Sequence, residues 1–203
     1  RIRMSQQDTI AAIATPHGVG GIGVIRLSGS QALSIAQKLT SSTLQAGRIQ
    51  FRKFFDAEQQ IVDHGIVLYF KSPRSFTGED VIEIQGHGGI VLQDMLLSRV
   101  CELGARLAQA GEFSERAFLN NKIDLAQAEA IADLIESSSL QAAKNAVRSL
   151  QGVFSQHIHE LVNKTINLRI YVEAAIDFPD EEIDFLNDGH VKNKLQHIID
   201  EVN

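Results

Sequence analysis

GEFSERAFLNNKIDLAQAEAIADLI, residues 111–135, joins two helical patterns by a polar turn that carries Arg116, Asn120, Asn121 and Lys122. An ordinary helix pair needs only polarity at its turn, and this one concentrates two cations and two amides. The first pattern covers residues 113–120. The second covers residues 124–137 and opens on Asp124, an acidic residue suited to a helix N-terminus. After this stretch apolar residues recur in steps of three or four and no strand pattern returns; before it, strand-like and helix-like runs mix. The turn therefore divides an α+β part from an all-helical part.

Upstream, DTIAAIA (8–14) and GVIRL (23–27) flank Thr15, Pro16 and a run of glycines, which reads as strand, glycine-rich loop, strand. A helix is expected from Ser30 as N-cap, with Leu33, Ala36 and Leu39 on one face. Residues 49–55 and 61–70 read as a hairpin around DAEQQ, and 81–84 as a further strand. Val91, Met95, Leu96, Val100 and Leu103 predict a helix over 88–103, with Gly104 as its stop. Downstream, Ala143, Val147, Leu150, Phe154, Ile158, Leu161, Thr165, Leu168, Val172 and Ala175 form one stripe on a long helix that Pro179 ends. Gly152 interrupts it at a cost of roughly 1 kcal/mol and marks a bend. A final amphipathic segment spans 190–202, and the acidic residues from Asp177 to Asp188 read as a linking loop pinned by Phe178 and Phe185.

The chain has 203 residues, 44% hydrophobic and 22% charged, room for one large or two modest domains. Its net charge of −6 lacks the basic excess that drives binding to a phosphate backbone, so any RNA contact must be local or supplied by a partner. Cys101 is the single cysteine, which rules out an intrachain disulfide and suits a reducing compartment; its surroundings predict a buried helical thiol. No apolar run approaches the length of a membrane span. Arg1 to Arg3 read as foreign to the native start, with Met4 as the natural first residue.

Gly18, Gly20 and Gly23 satisfy G-x-G-x-x-G but lead into VIRLSG rather than a helix, so a dinucleotide loop is rejected in favour of a structural turn. Arg26 stands within a strand, either as an arginine on the solvated face or as a cation for an anionic or carbonyl-bearing ligand. Glu83, in VIEIQGHGG, is either a surface glutamate or a ligand carboxylate; near a core it needs donors such as a pterin's N–H groups or an arginine. Gly86 and Gly88 around His87 indicate a close approach to the backbone. Lys122 is either a solvated loop lysine or, with Arg116, part of an anion pocket. The pairs His157/His159 and His190/His197 lack ligand geometry, and no metal site is expected.

Taken with TPHGVGGIGVIRLSG (15–29), FTGEDVIEIQGHGG (76–89) and LRIYVEAAIDFPDEEIDF (168–185), the opening stretch resembles the MnmE family, also called TrmE, of tRNA-modifying GTPases. One departure is Ala110, where the family commonly has proline. The resemblance implies an α+β fold: a mixed-sheet, tetrahydrofolate-binding-like domain over residues 4–119 that forms a homodimer, then the first part of an all-α helical domain over 120–203. It implies a reduced folate, 5-formyltetrahydrofolate or 5,10-methylenetetrahydrofolate, held by Arg26, Glu83 and Lys122. It further implies a cytoplasmic protein that works with a flavin-dependent partner, MnmG, to modify carbon five of the wobble uridine of tRNA. GTP, magnesium and potassium belong to a GTPase domain; no G-x-x-x-x-G-K-[ST] occurs here, so this part is expected to be inactive on GTP and to contribute no catalytic residue. Cys101 does not match the family's cysteine near its carboxyl terminus. The alternatives are a dimerising scaffold without ligand and a folate-dependent aminomethyltransferase-like domain.

Overall fold

The computed structural model describes residues 8–16, 18–177 and 190–202, in two units that divide between Ile123 and Asp124. The expectations for Met4 and for the loop from 178 to 189 lie outside the described residues.

The first unit is built on six strands: β1 (Ile10–Ile13), β2 (Gly20–Ser28), β3 (Ile49–Phe55), β4 (Ile61–Phe70), β5 (Val81–Gly88) and β6 (Arg106–Leu107). They lie in the order β3-β4-β5-β2-β1-β6, antiparallel except for the parallel pair β1/β6, so the sheet is mixed. Helices α1 (Ala32–Thr40) and α2 (Ile90–Glu102) cover one face. Strand alternation sends Ala11, Ile25, Leu27, Phe54, Val67, Ile82 and Ile84 to that face, where they pack with Ile35, Leu39, Leu96 and Val100. The opposite face carries Arg26, Leu68 and Glu83. It is the face that receives the short helix α3 (Glu112–Leu119), whose Phe113 ring lies 5.9 Å from the Arg26 guanidinium carbon.

Several elements differ from expectation for identifiable reasons. Both β2 and β5 run on into their glycines, which serve close packing rather than turning. A Cβ on Gly88 would lie 2.5 Å from the Gly20 carbonyl oxygen, and one on Gly23 would lie 2.5 Å from Cδ of Gln93 in α2. At the start of α1 the cap position is Gln31, one residue after the expected Ser30, and Thr9 Oγ1, just ahead of β1, accepts from its N–H at 2.9 Å. Within FRKFF (51–55), Phe51 is exposed, whereas Phe54 is fully buried. Cys101 is half-buried, with desolvation holding its thiol above the usual range.

The second unit comprises α4 (Leu125–Glu136), α5 (Leu140–Leu150), α6 (Val153–Asp177) and α7 (His190–Val202). Asp124 and Gln127 form a reciprocal capping box at the start of α4. The single long helix expected through Gly152 is two helices, because Gly152 takes φ +81°, a left-handed conformation that ends α5. Phe154, Ile158, Val162, Ile166 and Ile170 recur every four residues along α6 and remain exposed. Among the described residues no helix is long and apolar enough to cross a membrane.

An ion-pair network fastens α3 to the sheet. Arg116 bonds Asp8 Oδ1 at 3.0 Å, Glu79 Oε2 at 3.2 Å and Glu112 Oε1 at 3.1 Å, while Arg106 bonds Glu112 at 2.7 Å and Asp8 at 2.8 Å. The hydrogen bond from Arg106, aided by the Gln109 N–H and Arg116, pulls the Glu112 carboxyl from its ordinary 4.5 down to about 2. A depressed carboxyl stabilises the fold above its unfolded pKa and loses that contribution as pH falls through the folded one. Glu112→Gln is therefore expected to lower stability by about 2 kcal/mol near neutral pH, with the partly exposed Arg106 discounted. The difference from wild type in urea midpoint should shrink as pH drops from about 4.5 towards about 2; a difference independent of pH would contradict this account.

Candidate ligand-binding site

Six successive residues of β2 and β5 oppose one another, from Gly23↔Gly86 to Ser28↔Val81, and this register sets Arg26 directly across from Glu83. Arg26 Nε and Nη2 donate to the same oxygen, Glu83 Oε1, at 2.9 and 2.7 Å. The side chains are 32% and 17% exposed, so the pair is neither fully solvated nor sealed in the core. The other oxygen, Glu83 Oε2, receives no hydrogen bond among the described residues and is not shut away from solvent. The arginine thus meets the cost of placing a carboxylate on a sheet while leaving one acceptor atom for an external donor.

Two aromatic rings flank the arginine. The Phe76 and Phe113 centroids each lie 5.9 Å from its guanidinium carbon, one contributed by the loop before β5 and the other by α3. Neither ring was singled out from sequence, although FTGED and GEFSER hold both; a phenylalanine beside loop glycines and polar residues is the signal that was available. Together the rings and the ion pair offer a flat apolar boundary around a polar acceptor.

Lys122 reaches its position through the helix end. After α3 the Asn121 N–H donates to the Phe118 carbonyl and the Lys122 N–H to the Ala117 carbonyl, with Asn121 at φ +55°. This is a left-handed C-terminal cap, which explains the paired asparagines. The cap turns Lys122 onto the loop before β5, where its Nζ donates to the Pro73 carbonyl at 3.0 Å and Asn120 Nδ2 donates to the Thr77 carbonyl at 2.7 Å. Gly78, at φ +78°, lets the lysine stem lie close: a Cβ there would stand 3.2 Å from Lys122 Cγ. Arg26 and Glu83 are therefore bonded to each other, whereas Lys122 touches neither and is joined to them through the loop that also carries Phe76.

Two other readings change. Arg116 is not available to an anionic ligand, because three carboxylates already engage it. At His87 the group pressed against the glycines is the buried Asp63, missed in the sequence: its oxygens accept from the His87 N–H at 2.9 Å and bond His87 Nδ1 at 2.7 Å. A Cβ on Gly86 would lie 2.5 Å from Asp63 Oδ2. Burial pushes the Asp63 carboxyl up, but the hydrogen bonds from His87 and His64 prevail and hold it below the usual range. Among the described residues no group of three or more histidine, cysteine or acidic side chains has an arrangement able to hold a metal ion.

The first unit is thus a mixed sheet whose α3-bearing face carries an ion pair between two aromatic rings, and the unit that follows it in the chain is purely helical among the described residues. Residues 9–122 match the family described as GTP-binding protein TrmE N-terminus, and residues 125–203 match the MnmE helical domain. The chain belongs to the MnmE family. It is 59% identical over 196 residues to a protein of Pseudomonas fluorescens (strain Pf0-1), 61% over 200 residues to one of Acinetobacter baylyi, and 62% over 194 residues to one of Saccharophagus degradans. Each of the three is named tRNA modification GTPase MnmE. The alignments cover 96 to 98% of this chain but 42 to 43% of each relative, so the chain spans less than half their length.

Proposed function

We propose that this chain is the folate-binding and dimerising part of a tRNA modification GTPase. In this reading the whole protein acts with the flavin-dependent MnmG in the cytoplasm, using a one-carbon unit from tetrahydrofolate to modify carbon five of the wobble uridine of tRNA. GTP hydrolysis, with its magnesium and potassium, is assigned to the part of the relatives that this chain does not span. The observation that supports the folate most is Glu83: one carboxylate oxygen is held by Arg26 and the other is open. The N–H and amino groups on one edge of a pterin ring are the matching donors. Phe76 and Phe113 would bound the ring, and Lys122 would meet the carboxylates of the glutamate tail. The bound folate supplies the one-carbon unit; the chain's own residues bind it, orient its pterin and exclude water from the sheet face.

Calorimetry with 5-formyltetrahydrofolate tests this. A charge-assisted hydrogen bond is worth about 1.5 to 3 kcal/mol, so Glu83→Gln is expected to weaken binding by roughly 10- to 100-fold. Unchanged affinity would remove Glu83 from the site, and no binding by the wild-type chain would remove the folate.

The dimer contact is assigned to the edge strand β3, which leaves Ile49 77% and Phe51 64% exposed. Apolar side chains on an open sheet edge favour pairing with a second copy. Light scattering should show a dimer at micromolar protein and a monomer for the double variant I49S/F51S; a monomeric wild-type chain or a dimeric variant would refute the assignment.

A further inference from the structure

Leaving β4, the chain carries the open face of the sheet onward. Leu68 lies opposite Glu83 and Phe70 opposite Val81, so Phe70 shares the face of the ion pair. Next come Lys71, Ser72, Pro73 and Arg74, which with Tyr69, Phe70 and Gly47 line a cavity of about 390 Å³. This is the loop whose Phe76 covers Arg26 and whose Pro73 carbonyl holds Lys122.

The loop is a built turn. Arg74 N–H donates to the Lys71 carbonyl at 2.9 Å, Ser72 N–H to Asp80 Oδ1 at 2.8 Å, and Ser72 Oγ to the Gly78 carbonyl at 2.8 Å. The nearby carboxylates are engaged: Asp80 accepts from the Ser72 N–H, and Glu79 accepts from Arg116 and Ser28. Neither the Lys71 ammonium nor the Arg74 guanidinium has an acidic partner among the described residues. The cavity is therefore lined by two cations without an acidic partner among the described residues, and its Pro73 is the residue whose carbonyl holds Lys122.

We propose that Lys71 and Arg74 form an anion subsite that takes the γ-linked glutamates of a polyglutamyl folate, making the polyglutamylated cofactor the preferred ligand. The proposal rests on the folate reading above. A ligand anchored by its pterin at Glu83 and by its first glutamate at Lys122 would direct each further residue, with one carboxylate apiece, towards this cavity. Part-exposed ion pairs are individually weak, so two such contacts amount to about tenfold in affinity.

The test compares 5-formyltetrahydrofolate carrying one glutamate with the same compound carrying three, on the wild-type chain and on K71A/R74A. Expected is about tenfold tighter binding of the triglutamate by wild type, loss of that preference in the variant, and unchanged monoglutamate affinity in both. Equal affinities for the two ligands in wild type overturn the subsite and leave the folate reading standing. A preference that survives in K71A/R74A overturns the assignment to these residues, and failure of either form to bind overturns the folate reading and the subsite with it.

Discussion

The pairing of β2 with β5 places a guanidinium and a carboxylate on directly opposed residues of one sheet face, and the rest of the site is arranged about that contact. A carboxylate that is only 17% exposed is costly unless compensated, and Arg26 compensates it through one oxygen. A slip of one residue in the register would send Glu83 towards the helices and bring Ile82 or Ile84 to the open face, since side chains alternate with period two. The apolar packing of Ile82 and Ile84 under α1 and α2 therefore also fixes the polar site on the other side.

The remaining parts are held to this centre by α3 and by the loop before β5. Arg116 and Arg106, with Asp8, Glu79 and Glu112, tie α3 to β1 and to that loop, which keeps Phe113 over Arg26 and starts the turn that delivers Lys122. The network is structural: every one of its charges has a partner, in contrast to Lys71 and Arg74, which have no acidic partner among the described residues. Function on this unit is thus separated by charge accounting into cations consumed by the fold and cations left over.

Much of this was legible in the sequence. The change from mixed periodicity to steps of three and four located the passage between the two units, and the hairpin 49–55/61–70 came directly from alternation and turn residues. Arg26 and Glu83 stood out as charged residues inside strand patterns, yet their being opposite each other depends on register between strands 57 positions apart, which no local pattern carries. The same limit hid Asp63 beneath Gly86 and the pairing that consumes Arg116. Gly152 was legible as a weak point but not as a break: a helix-period stripe continues in phase across a single left-handed residue, and only backbone conformation distinguishes the two outcomes. The glycines of β2 were read as a loop because the demand they meet, close packing across strands and against Gln93, is tertiary, whereas the close backbone approach read at Gly86 and Gly88 is present.

Hydrogen–deuterium exchange of the chain with and without saturating 5-formyltetrahydrofolate tests the central claim most directly, because it reports where the ligand sits rather than whether it binds. The account requires slowed exchange in the loop of residues 71–80 and at the helix end around Asn120 to Lys122, with the second unit unchanged. Saturation of the protein with exchange slowed only in the helical unit, or nowhere on the open face of the sheet, would contradict it.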